Sequence, residues 1–202
     1  MEQTTIERVK ERLERQLAFI VEIDKLKTVL RQTLLTDESR RENSAEHSWH
    51  LALMAGLLAE YAPAGADVAR VVRMVLVHDL VEIDAGDAFC YDPVAVMGKV
   101  EREQACADRL FGMLPPDQGA ELRALWDEFE AGSTPDGRFA NALDRLQPLL
   151  QNLHTRGGTW RLNGVARDQV LKRMEPIRET LPELWPFVEA ILQRAVSEGW
   201  VK

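Results

Sequence analysis

Residues 45–61, AEHSWHLALMAGLLAEY, form a run that is apolar on most sides. Asn43 precedes the run in the position of an N-cap, and Glu46 follows three residues later as its capping-box partner. Pro63 and Gly65 stand where the helix should end. A helix that is apolar on most sides is buried against other elements. This stretch therefore predicts a buried helix.

Helices are also predicted on both sides of this run. Upstream, apolar residues recur at spacings of three and four from Ile6 to Val21, and residues 26–30 continue that helix or start a second one. Residues 36–43 are typical of a charged, turn-rich connection. Downstream, helices are predicted at about 67–83, 94–114, 117–131, 138–154, 167–180 and 182–199. No alternating run is long enough for a convincing strand, so we predict an all-α fold.

The composition is that of an ordinary globular chain and excludes several classes of protein. The 202 residues are 46% hydrophobic and 29% charged, which favours one domain over residues 1–202. Twenty-five basic against 33 acidic residues give a net charge of −8, so we expect no nucleic-acid partner. An anionic substrate would then need a metal ion or a few placed basic groups.

The sequence also predicts a cytoplasmic protein. Cys90 and Cys106 are too few for a disulfide framework. Residues 1–8 are partly acidic and lack the apolar segment of a signal peptide. The longest uncharged stretch, residues 48–59, falls short of the roughly 20 residues that span a bilayer. We therefore expect no membrane partner.

Ionisable residues interrupt the apolar runs at three places. His78 and Asp79 lie inside VLVHDLV, His47 lies at the polar start of the buried helix, and Asp144 stands among apolar neighbours. Buried charge is costly unless it is paired or bound to a metal. Imidazole and carboxylate together are a ligand set for divalent first-row metals. The four residues therefore form a candidate metal site.

Each of these residues also has a structural interpretation. A His-Asp dipeptide arises often by chance, and His47 is suited to cap a helix. Asp144 is placed to pair with Arg145 or Arg138. His50 follows His47 at a spacing that lets two histidines share one ion, so a local zinc pair is an alternative.

Three segments carry a resemblance to a known family: 42–48 (ENSAEHS), 78–87 (HDLVEIDAGD) and 141–148 (NALDRLQP). They resemble the 5'-deoxynucleotidase branch of the HD-domain metal-dependent phosphohydrolase superfamily. The resemblance covers a metal-site core at about 26–152 and, more loosely, C-terminal helices at 167–199. It implies a single HD-type helical domain.

The resemblance implies an enzyme that removes the 5'-phosphate from deoxyribonucleoside monophosphates in preference to ribonucleotides. Its metal ligands would be His47, His78, Asp79 and Asp144. They would hold a divalent ion, for which Mn, Co, Mg, Fe, Ni and Zn all remain open. Asp79 would also belong to the catalytic residues together with Glu82, which would act on the attacking water. The family commonly forms homodimers, and we expect one here.

Substrate contacts follow from the same resemblance. Asp87 would contact the sugar, and Arg31 matches a substrate-binding arginine of the family. The family has tryptophan after that arginine, whereas this chain has Gln32, which leaves base preference open. Lys99 is a further candidate cation, with a solvated i,i+4 pair to Glu103 as the alternative.

Two other functions remain possible from the sequence. Gln32 in place of an aromatic residue makes another small phosphate ester or a phosphodiester an alternative substrate. A nucleotide-binding protein that keeps the metal without turnover is the second alternative, and the presence of Glu82 and Asp87 argues against it.

Overall fold

The computed structural model describes residues 2–202, and the burial of side chains from Ile6 onward. Its helices and strands follow the order α1 (Glu2–Ile23), β1 (Leu30–Leu34), β2 (Arg41–Asn43), α2 (Ser44–Leu57), α3 (Val68–Val77), α4 (Glu82–Ala85), α5 (Lys99–Gly112), α6 (Pro116–Ala131), α7 (Pro135–His154), α8 (Gly158–Asn163), α9 (Arg167–Thr180) and α10 (Trp185–Ser197). Short 3-10 helices lie at Asp24–Thr28, Ala59–Tyr61 and Pro182–Leu184. The all-α prediction is confirmed. The prediction about a signal peptide falls partly on residue 1, outside the described residues.

Helix α2 is the buried helix that the sequence predicts. The Asn43 side chain accepts a hydrogen bond from the Glu46 amide at 2.9 Å, and Glu46 accepts one from the Asn43 amide at 2.7 Å. This capping box satisfies two amides that a helix start leaves free. Leu51 and Ala55 are fully buried, and the helix packs against α3 and α7. The cap fixes where α2 starts and therefore where His47 lies.

The predicted helix over 67–83 is broken in the structure. Asp67 caps α3, which ends at Val77, and a tight turn leads to the four-residue α4. In the turn, backbone hydrogen bonds span three residues, as from the Leu80 amide to the Val77 carbonyl at 3.1 Å. Gly86 follows with a φ of 72°, a conformation that glycine adopts without strain. His78 and Asp79 therefore sit at a helix end.

A two-stranded sheet replaces part of the predicted helical and turn region. Leu30 pairs with Asn43 and Leu34 with Arg41 in an antiparallel arrangement. The sequence analysis missed this sheet because strands of five and three residues are too short to show a period of two. The main effect of the sheet is on Arg31, because β1 places this side chain in the interior.

Helix α1 is confirmed, but its apolar stripe faces solvent. Six of its aliphatic side chains are exposed: Ile6, Val9, Leu13, Leu17, Ile20 and Val21. The opposite face packs on the body of the protein through Phe19, which is buried, and Arg15. Arg15 donates hydrogen bonds of 2.6–3.0 Å to the carbonyls of residues 112–114, where α5 ends. Free carbonyls at a helix end favour such a cation.

The remaining helices follow the predictions with shifted ends, except that the sequence does not predict α8 and that the helix predicted over 182–199 starts as a 3-10 turn before α10. Helix α5 begins at Lys99, because residues 93–98 form turns that end at Gly98 with a φ of 65°. The C-terminal tail packs onto the core, where Val188, Ile191 and Trp200 are buried. Within residues 2–202, no helix has the length and apolar character needed to cross a membrane.

Candidate metal centre

Three helices bring ionisable side chains together in the interior. His47 comes from the start of α2, His78 from the end of α3 and Asp144 from the middle of α7, and one ligand atom of each lies within 4.8 Å of the others. His47 Nε2 lies 3.0 Å and His78 Nε2 3.8 Å from the same oxygen, Asp144 Oδ1. All three residues are buried.

Asp79, the fourth predicted ligand, lies beside this cluster rather than within it. Its Oδ1 lies 3.0 Å from His78 Nε2, and its Oδ2 lies 4.0 Å from His47 Nε2. Successive side chains of a continuous helix point about 100° apart. The turn after α3 removes that restriction, so the Asp79 carboxylate reaches the imidazole of His78.

Hydrogen bonds orient both imidazoles. His78 Nδ1 donates to the Val75 carbonyl at 2.8 Å, which leaves the lone pair of Nε2 directed at the cluster. His47 Nδ1 donates to Gln147 Oε1 at 3.2 Å, and Gln147 Nε2 donates to Glu42 Oε1 at 2.5 Å. Such outer partners orient metal-binding imidazoles.

His78 Nε2 is the atom that tests whether a metal fits. It is buried and has no hydrogen-bond partner among the side chains and backbone that the structure describes, which is costly for a polar atom unless something binds there. Two imidazole nitrogens and two carboxylates are a donor set that divalent first-row ions accept. The residues present therefore fit a divalent metal.

The cluster also favours positive charge. Burial lowers the pKa of His47, but hydrogen bonds to Asp144 and Glu42 outweigh it and raise this pKa to about 9. Burial by itself would raise the pKa of Asp144, yet His47, His78 and Arg145 hold it well below its usual value. An ionised carboxylate next to imidazole nitrogens is the electrostatic setting of a cation site.

Arg31 lies in the cluster, as the sequence predicts. Its Nη1 donates to Asp79 Oδ2 at 2.6 Å, and its Nη2 lies 3.8 Å from Asp144 Oδ1. Burial disfavours its charge, but Asp79 and Glu82 raise its pKa further, so the guanidinium is charged at any working pH. A fixed guanidinium is suited to bidentate phosphate binding.

Comparison with known proteins agrees with this geometry. Residues 23–185 match the HD domain family. The chain belongs to the HD domain family. A crystal structure described as a predicted metal-dependent phosphohydrolase from Magnetospirillum magnetotacticum MS-1 is 57% identical, with a TM-score of 0.91 over 95% of this chain and 96% of that one.

Two curated relatives carry the name 5'-deoxynucleotidase HDDC2. The Xenopus laevis protein is 31% identical over 68% of this chain and 67% of its own length. The Homo sapiens protein is 30% identical over 67% of this chain and 65% of its own length. The chain thus spans about two thirds of the length of these relatives.

The metal centre of this HD domain opens into a cavity of about 310 Å³. Ligand sites of proteins begin at roughly 300 Å³, so a small molecule fits here. Glu82 and Asp87 line the cavity next to His78, Asp79 and Asp144. The predicted metal and substrate residues thus share one space.

Glu82 is buried beside the ligands and held by one hydrogen bond. Its Oε2 accepts from Ser44 Oγ at 2.6 Å. Burial, and then the charge of Asp79, raise the pKa of Glu82 well above its ordinary value. Burial likewise raises the pKa of Asp87. Perturbed carboxyls in a cleft are typical of functional sites.

Two arginines of the cavity were not assigned to the substrate site by the sequence analysis. Arg145 Nη1 donates to Asp144 Oδ2 at 2.8 Å, so the predicted ion pair exists and holds the oxygen that faces away from the histidines. Arg138 does not share this role, since it donates to the Ser133 carbonyl. Arg173 Nη2 lies 3.6 Å from the same Asp144 oxygen. Nothing in the sequence around Arg173 signals this contact, because it depends on how α9 packs against α7.

His50 lies outside the metal cluster, and Lys99 differs in part from its predicted surroundings. His50 is exposed and lies outside the cluster, and its Nδ1 accepts from Gln147 Nε2 at 3.3 Å. Lys99 Nζ lies 3.2 Å from Glu103 Oε1, as the i,i+4 alternative predicts. The expected solvated face is wrong, however, because Glu103 is buried and both residues line the cavity.

Proposed function

We propose that this HD domain is a metal-dependent phosphomonoesterase that removes the 5'-phosphate from nucleoside monophosphates and prefers the deoxy form. The observation that carries the proposal is His78 Nε2, a buried nitrogen without a partner that faces two carboxylates and a nucleotide-sized cavity. The names of the two curated relatives support the choice of substrate.

Each residue of the cavity has its own role in the proposed reaction. A divalent ion held by His47, His78, Asp79 and Asp144 would acidify the attacking water and polarise the phosphoryl group. Arg31 binds phosphate oxygens and offsets their charge. Glu82 accepts the proton of the attacking water, because its carboxylate lies beside Asp79 and is oriented by Ser44.

The identity of the metal is open among Mn, Co, Mg, Fe, Ni and Zn. Elemental analysis of protein purified without added metal would identify the ion that it carries.

We propose that Asp87 distinguishes deoxyribose from ribose in the substrate. It follows Gly86 at the cavity edge, where a carboxylate accepts a hydrogen bond from a 3'-hydroxyl and crowds a 2'-hydroxyl.

A substrate panel tests the activity. Metal-stripped protein supplied separately with Mn, Co, Mg or Zn is expected to release phosphate faster from deoxyribonucleoside than from ribonucleoside 5'-monophosphates. Asp87→Ala should cut the deoxy-to-ribo ratio of kcat/KM by about tenfold, because it relieves the crowding of the 2'-hydroxyl, whereas loss of the hydrogen bond to the 3'-hydroxyl affects both substrates alike. An unchanged ratio would remove Asp87 from the proposal. Phosphate release only from other phosphate esters would change the proposed substrate class. Nucleotide binding without any phosphate release would favour a binding protein over an enzyme.

We also propose that the protein forms a homodimer through α1. The exposed aliphatic stripe of that helix is longer than isolated surface apolar residues account for. Leu13→Glu is expected to shift the molar mass measured by light scattering from dimer to monomer without lowering the melting temperature. Ala18→Glu introduces the same side chain at an exposed position of this helix outside the stripe, so it is the matched control and should remain dimeric. A monomeric wild type would contradict the proposal.

Domain organisation and compartment are proposals as well. We propose that residues 1–202 form one domain that works in the cytoplasm, and the free thiols of Cys90 and Cys106 fit a reducing compartment. A single cooperative unfolding transition and recovery in the cytosolic fraction are the expected results. Two transitions or recovery in another fraction would contradict them.

A further inference from the structure

The cavity carries aromatic rings in addition to Gln32. The family resemblance predicts an aromatic residue at position 32 for contact with the base, and Gln32 lacks a ring. Its Oε1 accepts a hydrogen bond from Arg41, and its backbone carbonyl accepts one from Thr159 Oγ1. Gln32 is therefore held by its own neighbours, and a ligand's base needs another surface.

Four aromatic side chains line the cavity, and two of them are available to a ligand. Trp160 is only 2% exposed. Phe129 is buried and packs on the imidazole of His78, with ring centroids 4.6 Å apart. Phe89 and Tyr91 are half-buried, so each ring keeps part of its surface open.

Phe89 and Tyr91 form one aromatic unit. Their ring centroids are 5.4 Å apart and the rings meet edge to face at 75°, an arrangement that is favourable for an aromatic pair. They follow Asp87 by two and four residues, and residues 87–91 all line the cavity. The segment that carries the proposed sugar contact thus continues directly into an aromatic wall.

We propose that the Phe89–Tyr91 pair binds the nucleobase of the substrate, with one ring stacked on the face of the base and the other meeting its edge. The inference rests on the proposed function, since it takes the phosphate to lie at the metal centre and the sugar at Asp87. The base is joined to C1' and the phosphate arm to C4', so a base on a sugar held at Asp87 lies within reach of the cavity residues that follow Asp87. Stacking accepts any base, because every base offers a π-face. The pair therefore selects nucleotides over other phosphate esters without selecting one base.

An abasic substrate separates this contact from binding of the phosphate. Wild-type protein should have a KM about tenfold or more lower for a deoxyribonucleoside 5'-monophosphate than for 2-deoxyribose 5-phosphate, the range that base-aromatic stacking supplies. Phe89→Ala and Tyr91→Ala should raise the first KM toward the second and leave the second unchanged. Phe89→Leu keeps an apolar side chain without the ring, and it should behave like Phe89→Ala if the ring face matters. Phe187→Ala, which removes a half-exposed ring on α10 outside the cavity, is the control.

A binding measurement keeps the inference testable apart from turnover. Calorimetry with thymidine and deoxyadenosine, neither of which has a phosphate to hydrolyse, should show binding to the wild type and about tenfold weaker binding to Phe89→Leu. Equal KM values for the nucleotide and the abasic substrate in wild type would overturn the inference while leaving the phosphatase intact. Nucleoside binding that depends on Phe89 in a protein without phosphatase activity would instead overturn the proposed function alone. If substitution of Phe89 and of Tyr91 left nucleoside binding unchanged, the proposed contact between these rings and the base would be wrong.

Discussion

His78→Ala is expected to abolish metal retention and to lower kcat by about 10³-fold or more. The imidazole that it removes contributes the buried, unpartnered Nε2 at the centre of the cluster. The reaction depends on the ion for several kcal/mol of transition-state stabilisation, and each 1.36 kcal/mol is worth tenfold in rate. Elemental analysis after gel filtration measures metal retention, and phosphate release measures turnover.

The design of this experiment separates loss of the metal from loss of the fold. His154→Ala removes an exposed histidine at the end of α7 and should keep both metal and activity. Asp79→Ala should match His78→Ala in both measurements, since its oxygens lie 3.0 and 4.0 Å from the two imidazoles. A His78→Ala protein that holds one equivalent of metal and turns over at the normal rate would contradict the ligand assignment.

The meeting of His47, His78 and Asp144 could be predicted because ionisable residues break an apolar pattern. His78-Asp79 interrupts a run of valines and leucines, and Asp144 interrupts another apolar face. Burying such groups is costly without a binding partner, so their presence points to function. The capping box of Asn43 and Glu46 was predictable for a related reason, because both of its hydrogen bonds are local.

What the sequence did not predict depends on contacts between distant segments. The spacing in α1 predicts a helix but not which face is buried, and here Arg15 turns inward because α5 ends beneath it. Arg173 reaches Asp144 only through the packing of α9 on α7. The break after Val77 is a third case, since no proline or glycine marks it. Each outcome is decided by tertiary contacts that local sequence patterns do not contain.

Glu82→Gln is expected to lower kcat by about 10² to 10⁴, the range typical of removing a general base. Glutamine has nearly the same shape but does not accept the proton of the attacking water. Metal retention should be unchanged, because Glu82 is not among the proposed ligands. Normal turnover of Glu82→Gln would contradict the assignment of the base.

The pH dependence distinguishes a base from a residue that only packs. Glu82 acts in its ionised form, so kcat/KM should rise with pH as its carboxyl loses the proton. Burial and the nearby Asp79 raise the pKa of this carboxyl, which moves the rise to higher pH than an exposed glutamate gives. Glu82→Gln should remove this rise, the acidic limb of the profile of kcat/KM against pH.

Ser44→Ala provides a graded control on the same carboxyl. Its hydroxyl donates to Glu82 Oε2 at 2.6 Å and lowers the pKa of Glu82. Without that hydrogen bond the pKa rises, so the limb should move to higher pH while the maximal rate falls by less than in Glu82→Gln. A shift in the opposite direction, or none, would mean that the limb belongs to another group. Loss of the pH-dependent rise in Glu82→Gln, together with its displacement in Ser44→Ala, would assign the proton transfer to Glu82. A loss of packing alone would neither remove nor displace that rise.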